Sequence, residues 1–211
     1  MRRLLLLVAT LFLIQPAQAQ ENNAALHQLF DQQWQRGLRD YPENAVFYGD
    51  NRYNDRWTDM SLGAIAVREA GDREALQSLR AIDRTQLSAA DQLNYDTFEW
   101  QLKQSIARQA FREYLMPISH QGGVQTADGL LELLAFNTEK DYRDWLARLN
   151  ALPTLIDQNI VLLREGAKLG MTPPKAIMKR VPNQIAAQVV DDPTKSALYA
   201  PFKQFPENIP A

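Results

Sequence analysis

The chain has no cysteine and only two histidines, His27 and His120. The first absence excludes disulfides and thiolate metal sites. It also leaves no residue near the signal-peptide cleavage site to carry a lipid anchor. The shortage of histidine bears on zinc chemistry. Helical zinc hydrolases place two His on one helix face, a Glu between them as base, and a third ligand elsewhere. Neither histidine here has a His or Glu at that spacing, so no zinc site is expected from this chain alone. There is no Gly-x-Ser-x-Gly elbow, and a serine triad would have only His120 as a loop base. A formal net charge of −2 gives no electrostatic reason to expect nucleic acid as a partner. No run alternates apolar and polar residues long enough for a strand, and there is no internal repeat.

What is present begins with a signal peptide. Met1-Arg2-Arg3 is a positive n-region, Leu4 to Ile14 is apolar apart from Thr10, and Ala17-Gln18-Ala19 is a small-x-small cleavage site. The apolar run is too short for a membrane span, which needs ~20 residues. Cleavage is therefore expected after Ala19, giving a periplasmic or secreted protein with no membrane attachment. Removing residues 1–19 leaves 192 of the 211 residues, enough for one domain with a core.

The rest reads as helices. Leu26, Leu29, Phe30, Trp34 and Leu38 form one stripe of a helix from about Ala24 to Asp40, stopped by Tyr41-Pro42. Residues 42–60 read as irregular. Asp59 or Ser61 caps a helix reaching about Ile82, with a weak spot at Gly71. Ser88 and Asp91 form a capping box for a helix from Ala89 to about Arg112, with Tyr95, Phe98, Leu102 and Ile106 inward. A short helix is predicted from about Ala127 to Phe136. Thr138 with Asp141 opens another, with Tyr142, Trp145, Leu146 and Leu149 on one face. Pro153 suits the first turn of a further helix, whose stripe is Ile156, Ile160, Leu163 and Ala167 and whose stop is Gly170. Pro173-Pro174 begins a last helix, interrupted near Pro182 and reaching about Val190. Four prolines then suggest an extended connector. The fold class is all-α, with short connections between antiparallel helices. The chain divides into a signal peptide at 1–19, a helical portion at 20–190, and a proline-rich connector or truncated continuation at 191–211.

Few residues suggest chemistry. Asp50 to Asp55 superficially resembles a calcium loop but lacks the turn glycine and the Glu at the twelfth position, where Ser61 stands. Capping and surface ion pairing are the plainer reading. Lys168, Lys175, Lys179 and Arg180 make a basic cluster that could receive a substrate carboxylate, though such clusters are more often a solvated face. The most interesting loop is Ser119-His120-Gln121-Gly122-Gly123. Its glycines would let a ligand approach the backbone, while His120 and Gln121 offer hydrogen bonds, making His120, Gln121, Gly122 and Gly123 the candidate substrate-binding residues. The competing reading is an ordinary connection in which the glycines simply permit the turn. No catalytic residue and no metal ligand is assigned.

Several segments together resemble a bacterial family, the domain-of-unknown-function 885 family. They are Tyr41-Pro42-Glu43-Asn44-Ala45 with Gly49, Trp57-Thr58-Asp59-Met60-Ser61, Leu87 to Asp96, and Met116 to Gly123. Asp141-Tyr142 leading into Arg148-Leu149, Ile156-Asp157-Gln158-Asn159-Ile160, Arg164-Glu165-Gly166, Gly170 to Pro174 and Ser196 to Phe202 continue the series. Each is short, and their order and spacing carry the match. The resemblance implies a largely helical fold, similar to cleft-forming zinc metallopeptidases, in which these helices are part of a larger structure. It also implies zinc and a peptide-like substrate for full-length members, many of which carry a His-Glu-x-x-His helix that this sequence lacks. The expectation is the N-terminal helical part of an exported metal-dependent peptidase or amide hydrolase, inactive by itself and with no cofactor of its own. The alternative is a non-catalytic periplasmic helical binding or interaction protein.

Overall fold

A computed structural model describes residues 22–207 and 209. The expected signal peptide and cleavage site, residues 1–19, lie outside the described residues. Every regular element among the described residues is a helix or a 3-10 turn, as the missing period-two patterns imply. No helix among them is long and apolar enough to cross a membrane. The chain forms two compact units. Of the described residues, the first unit holds 22–36 and 66–111, and the second holds 37–65 and everything from Arg112 onward.

The first unit is built from helix α1 (residues 22–40) as far as Arg36, most of α3 (Leu62–Arg80), and α4 (Ala89–Gln109). Helix α3 runs through Gly71 unbroken. Leu26 and Leu29 of α1 meet Ala75 and Leu79 of α3 and Tyr95 and Leu102 of α4 in one core. Burying a side chain of this size stabilises the fold by about 1.5–3 kcal/mol. The rings of Phe30 and Phe98 meet edge-on, 5.2 Å apart. Polar contacts fasten the start of α4. Ser88 accepts from the Asp91 N–H at 3.2 Å, but the Ser88 N–H donates to Asn23 Oδ1 at 3.2 Å rather than to Asp91. Only half of the predicted capping box therefore forms. The Asp91 carboxylate turns instead to His27, whose Nε2 lies 3.0 and 3.1 Å from its two oxygens.

The second unit departs more from the sequence reading. Residues 42–60 are not wholly irregular, because α2 (Pro42–Phe47) starts at the very proline that ends α1. Proline forbids helical geometry at Tyr41 (φ −133°, ψ 74°) yet suits the first helical position. The helix predicted near Ala127 to Phe136 is instead a 3-10 segment, Val124–Glu132. The two helices expected around Pro153 are one, α5 (Glu139–Lys168), with Pro153 inside it. The Thr138–Asp141 capping box at its start is complete. Its end is a Schellman stop, with Gly170 N–H bonded to Ala167 O at 3.2 Å and Met171 N–H to Gly166 O at 2.8 Å.

The buried faces of α5 also differ from the predicted stripes. Tyr142, Trp145 and Arg148 are buried while Leu146 is exposed. Further along, Asn159, Leu162 and Gly166 are buried while Ile156 and Ile160 are exposed. Leu162 joins Ile65 and Leu115 in a second core. Gly166 is required there because a Cβ would lie 2.6 Å from Leu115 O.

Helices α6 (Lys175–Met178) and α7 (Val181–Gln188) follow, with Pro182 in the first turn of α7. The proline-rich tail is not extended. It carries 3-10 turns at Pro193–Lys195 and Ala197–Lys203 and packs on α5. Trp145 Nε1 donates to Leu198 O at 3.0 Å, and the Tyr142 ring lies 4.9 Å from that of Phe205.

Candidate functional site

A recess of the second unit has a volume of about 580 Å³. Tyr41, Glu43 and Phe47 come to it from α2 and its cap, Trp57 and Thr58 from the following loop, and Asn159 from α5. The recess takes its shape from contacts between these segments. Glu43 accepts from the Thr58 N–H at 3.0 Å and from the Thr58 hydroxyl, which ties the loop back onto α2. The Met60 N–H donates to Gln158 Oε1 at 2.8 Å, and Gln158 Nε2 donates to Asp59 at 2.8 Å, which ties the same loop to α5. Tyr41 and Phe47 are exposed at the recess.

Behind Trp57 lies Arg148, which is completely buried. Its guanidinium sits 4.9 Å from the Trp57 ring centroid. Its Nε donates to Asn54 O at 2.6 Å and its Nη2 to Tyr53 O at 3.3 Å, while Nη1 has no hydrogen-bond partner. Burial lowers the Arg148 pKa to about 10, opposed by the more distant Glu43, Asp55 and Asp144 carboxylates. A planar guanidinium tolerates this site because it can stack on indole while its N–H groups reach carbonyls. Among the described residues, Glu43 is the only charged one lining the recess itself.

The four residues of the glycine loop have separate fates. The loop closes as a tight turn, with the Ser119 N–H bonded to Gly122 O at 2.8 Å. His120 gives its carbonyl to Gln184 Nε2 at 2.9 Å, and its Nδ1 is buried without a partner. Gln121 is exposed, and its N–H donates to Ser119 Oγ at 3.2 Å. Gly123 adopts φ 141° and lines the recess, whereas His120, Gln121 and Gly122 do not. The backbone groups of this turn are thus largely committed to folding it. Gln125 completes it by donating to Ser119 O at 2.7 Å.

The acidic segment is an ion-paired cap. Asp50 accepts from the Arg52 N–H at 3.0 Å and pairs with the Arg52 side chain at 2.6 Å, while Asp55 pairs with Arg56 at 2.7 Å. These arginines hold both carboxyls below their ordinary range. Lys168, Lys175, Lys179 and Arg180 are exposed, and Lys168 pairs with Glu165 at 2.6 Å. Among the described residues no group of three or more His, Asp or Glu side chains could hold a metal ion. His27 is engaged with Asp91 in the first unit and His120 sits in the turn of the second. The described residues therefore do not fit a zinc site.

Reading single residues missed Tyr41, Glu43, Trp57, Thr58, Arg148 and Asn159. The available signal was their presence in the short family-like segments, which marked the positions without assigning them roles.

An all-helical protein with an aromatic-walled recess is the class that fold and site define. Residues 42–211 match the family described as Bacterial protein of unknown function (DUF885), and the chain belongs to that family. No curated protein matches it in sequence.

Proposed function

We propose that the second unit supplies the substrate-contacting wall of an exported, metal-dependent peptidase or related amide hydrolase, whose metal ligands and catalytic base lie outside the described residues. The observation that carries this reading is the recess itself. Its volume of about 580 Å³ falls within the range of ligand sites, and Tyr41, Phe47 and Trp57 give it apolar surface beside Glu43, Thr58 and Asn159. That mixture suits an extended peptide, whose side chains need apolar contact while its backbone needs polar partners. The role of this chain is to bind and orient such a substrate and to keep water from part of it. No hydrolytic step is assigned to its own residues.

The first test reads the genetic locus through the codon for Ala211. A continuing frame that encodes a His-Glu-x-x-His helix and a further acidic ligand supports the proposal. A clean stop with no such helix downstream refutes it. A parallel test measures binding of an unlabelled peptide mixture to the whole chain and to its Phe47→Ala variant. Phe47 is 71% exposed, so its truncation leaves the core intact while removing recess surface. Equal binding by both forms removes the recess from the argument. The alternative, a non-catalytic periplasmic binding or interaction protein, is favoured by a different feature, the aliphatic groove on α5 and α7.

A further inference from the structure

A second cavity of the same unit, about 480 Å³, lies along α5 and α7. Leu152, Ile156 and Ile160 of α5 face it together with Ile185, Val189 and Leu198. Four of these are large apolar groups left in water: Ile156 is 39% exposed, Ile160 37%, Ile185 47% and Val189 76%. Among the described residues no aromatic ring lines the groove, so recognition there is by aliphatic contact and shape.

Its polar residues narrow the choice of ligand. Gln188 Nε2 is committed to Gln125 O and to Asp128 Oδ1, each at 3.2 Å. Gln125 Nε2 is committed to Ser119 O at 2.7 Å, and Asn159 Nδ2 to Leu155 O at 2.7 Å. The Gln125 and Gln188 amide donors are therefore engaged, while Asn159 Nδ2 spends one of its two hydrogens. Among the described residues, Asp128 is the only charged one lining the groove, and no Lys or Arg pairs with it. An anionic head group would find at most one remaining Asn159 N–H and would face the Asp128 carboxylate. A positively charged head group would find that carboxylate as its partner.

We infer that this groove is a binding site for an aliphatic amine, a small amphiphile whose chain lies on Ile156, Ile160 and Ile185 and whose ammonium pairs with Asp128. The groove shares Val124, Ala127 and Asn159 with the recess, but the inference rests on Asp128 and the aliphatic residues and not on the peptidase reading.

The test compares three ligands of one chain length, decylamine, decanol and decanoate. Each is titrated calorimetrically below its aggregation concentration into the whole chain and into the Asp128→Asn and Ile160→Gln variants. Decylamine binds about fivefold tighter than decanol, the size of a partly exposed ion pair, and decanoate binds least. Asp128→Asn brings decylamine down to decanol and leaves decanol unchanged. Ile160→Gln weakens all three. Far-UV circular dichroism checks that each variant is helical, and Ile156→Ala replaces Ile160→Gln if the latter does not fold. The inference is overturned if decanoate matches decylamine, if the preference for the amine survives Asp128→Asn, or if none of the three binds.

Discussion

Arg148 and Trp57 hold one another at two points. The Arg148 guanidinium lies 4.9 Å from the Trp57 ring centroid, and Trp57 Nε1 donates to the backbone carbonyl of Arg148 at 2.8 Å. Side chain and main chain of one residue thus fix the position of a single indole in the recess wall. Arg148 also donates to Asn54 O and Tyr53 O, so it pins the loop that leads into Trp57.

Removing Arg148 has a cost that depends on what replaces it. Arg148→Ala leaves buried carbonyls without donors and a void beside Trp57, and should destabilise the chain by about 3–5 kcal/mol. Arg148→Met keeps most of the volume and removes the penalty of burying a cation, so it should cost only about 1–3 kcal/mol. Urea unfolding of both variants checks the order. Equal losses would mean that the void contributes nothing.

The glycine pair gives a second contrast. At Gly123, φ is 141° and a Cβ would lie 2.5 Å from Gln125 Oε1 and 3.1 Å from Ile118 Cα. At Gly122 a Cβ meets nothing within 4 Å. Gly123→Ala should therefore cost about 2 kcal/mol or more, while Gly122→Ala should stay within roughly 1 kcal/mol of the parent. Thermal unfolding of the two single variants separates them.

Asp91 should make acid stability depend on one carboxylate. Hydrogen bonds from Asn94 first and His27 second hold its pKa below the ordinary value of 3.8. For a depressed carboxyl the added stability is fully present above the unfolded pKa and is lost as pH falls through the lower folded one. Asp91→Asn should flatten that limb of the stability curve, with little change in its slope above about pH 5. Chemical unfolding between pH 2 and 6 measures it, and an unchanged acid limb would exclude the role.

The start of α5 is a conventional cap with a measurable worth. Thr138 Oγ1 accepts from the Asp141 N–H at 3.4 Å, and Asp141 Oδ2 accepts from the Thr138 N–H at 2.8 Å. Thr138→Ala should cost about 1 kcal/mol, read from the urea midpoint at constant slope.

Pro153 lies in the interior of the same helix. It has no N–H to offer the carbonyl one turn back, and proline there costs about 3 kcal/mol against alanine in an exposed helix. Pro153→Ala should raise the unfolding midpoint. A fall would show that the ring makes packing contacts worth more than the missing bond.

Helix composition, caps and stops were legible from local chemistry because they depend on neighbouring residues. Thr138 with Asp141 meets across one turn, Gly170 ends a helix through its own backbone, and Tyr41-Pro42 blocks helical geometry at Tyr41 wherever the segment lies. Local pattern also misled. Pro153 read as a beginning, since a proline suits a first turn, but packing along the 30 residues of α5 carries the helix through it. Ile156 and Ile160 read as core because they are apolar at helical spacing. The neighbours of α5 instead cover Asn159, Leu162 and Gly166 and leave those isoleucines on the groove.

The recess lay beyond sequence for the same reason. Its walls come from Tyr41, Trp57, Gly123 and Asn159, residues that no local periodicity links. A buried arginine supporting an indole is visible only once α5 has met the loop before Trp57. The sequence by itself determined an all-helical chain, its main capped helices, and the lack of any cysteine ligand. Tertiary packing decided which face of α5 is covered, how the glycine turn is spent, and where the two cavities open. Those outcomes depend on burial against distant partners, which short-range stereochemistry does not encode.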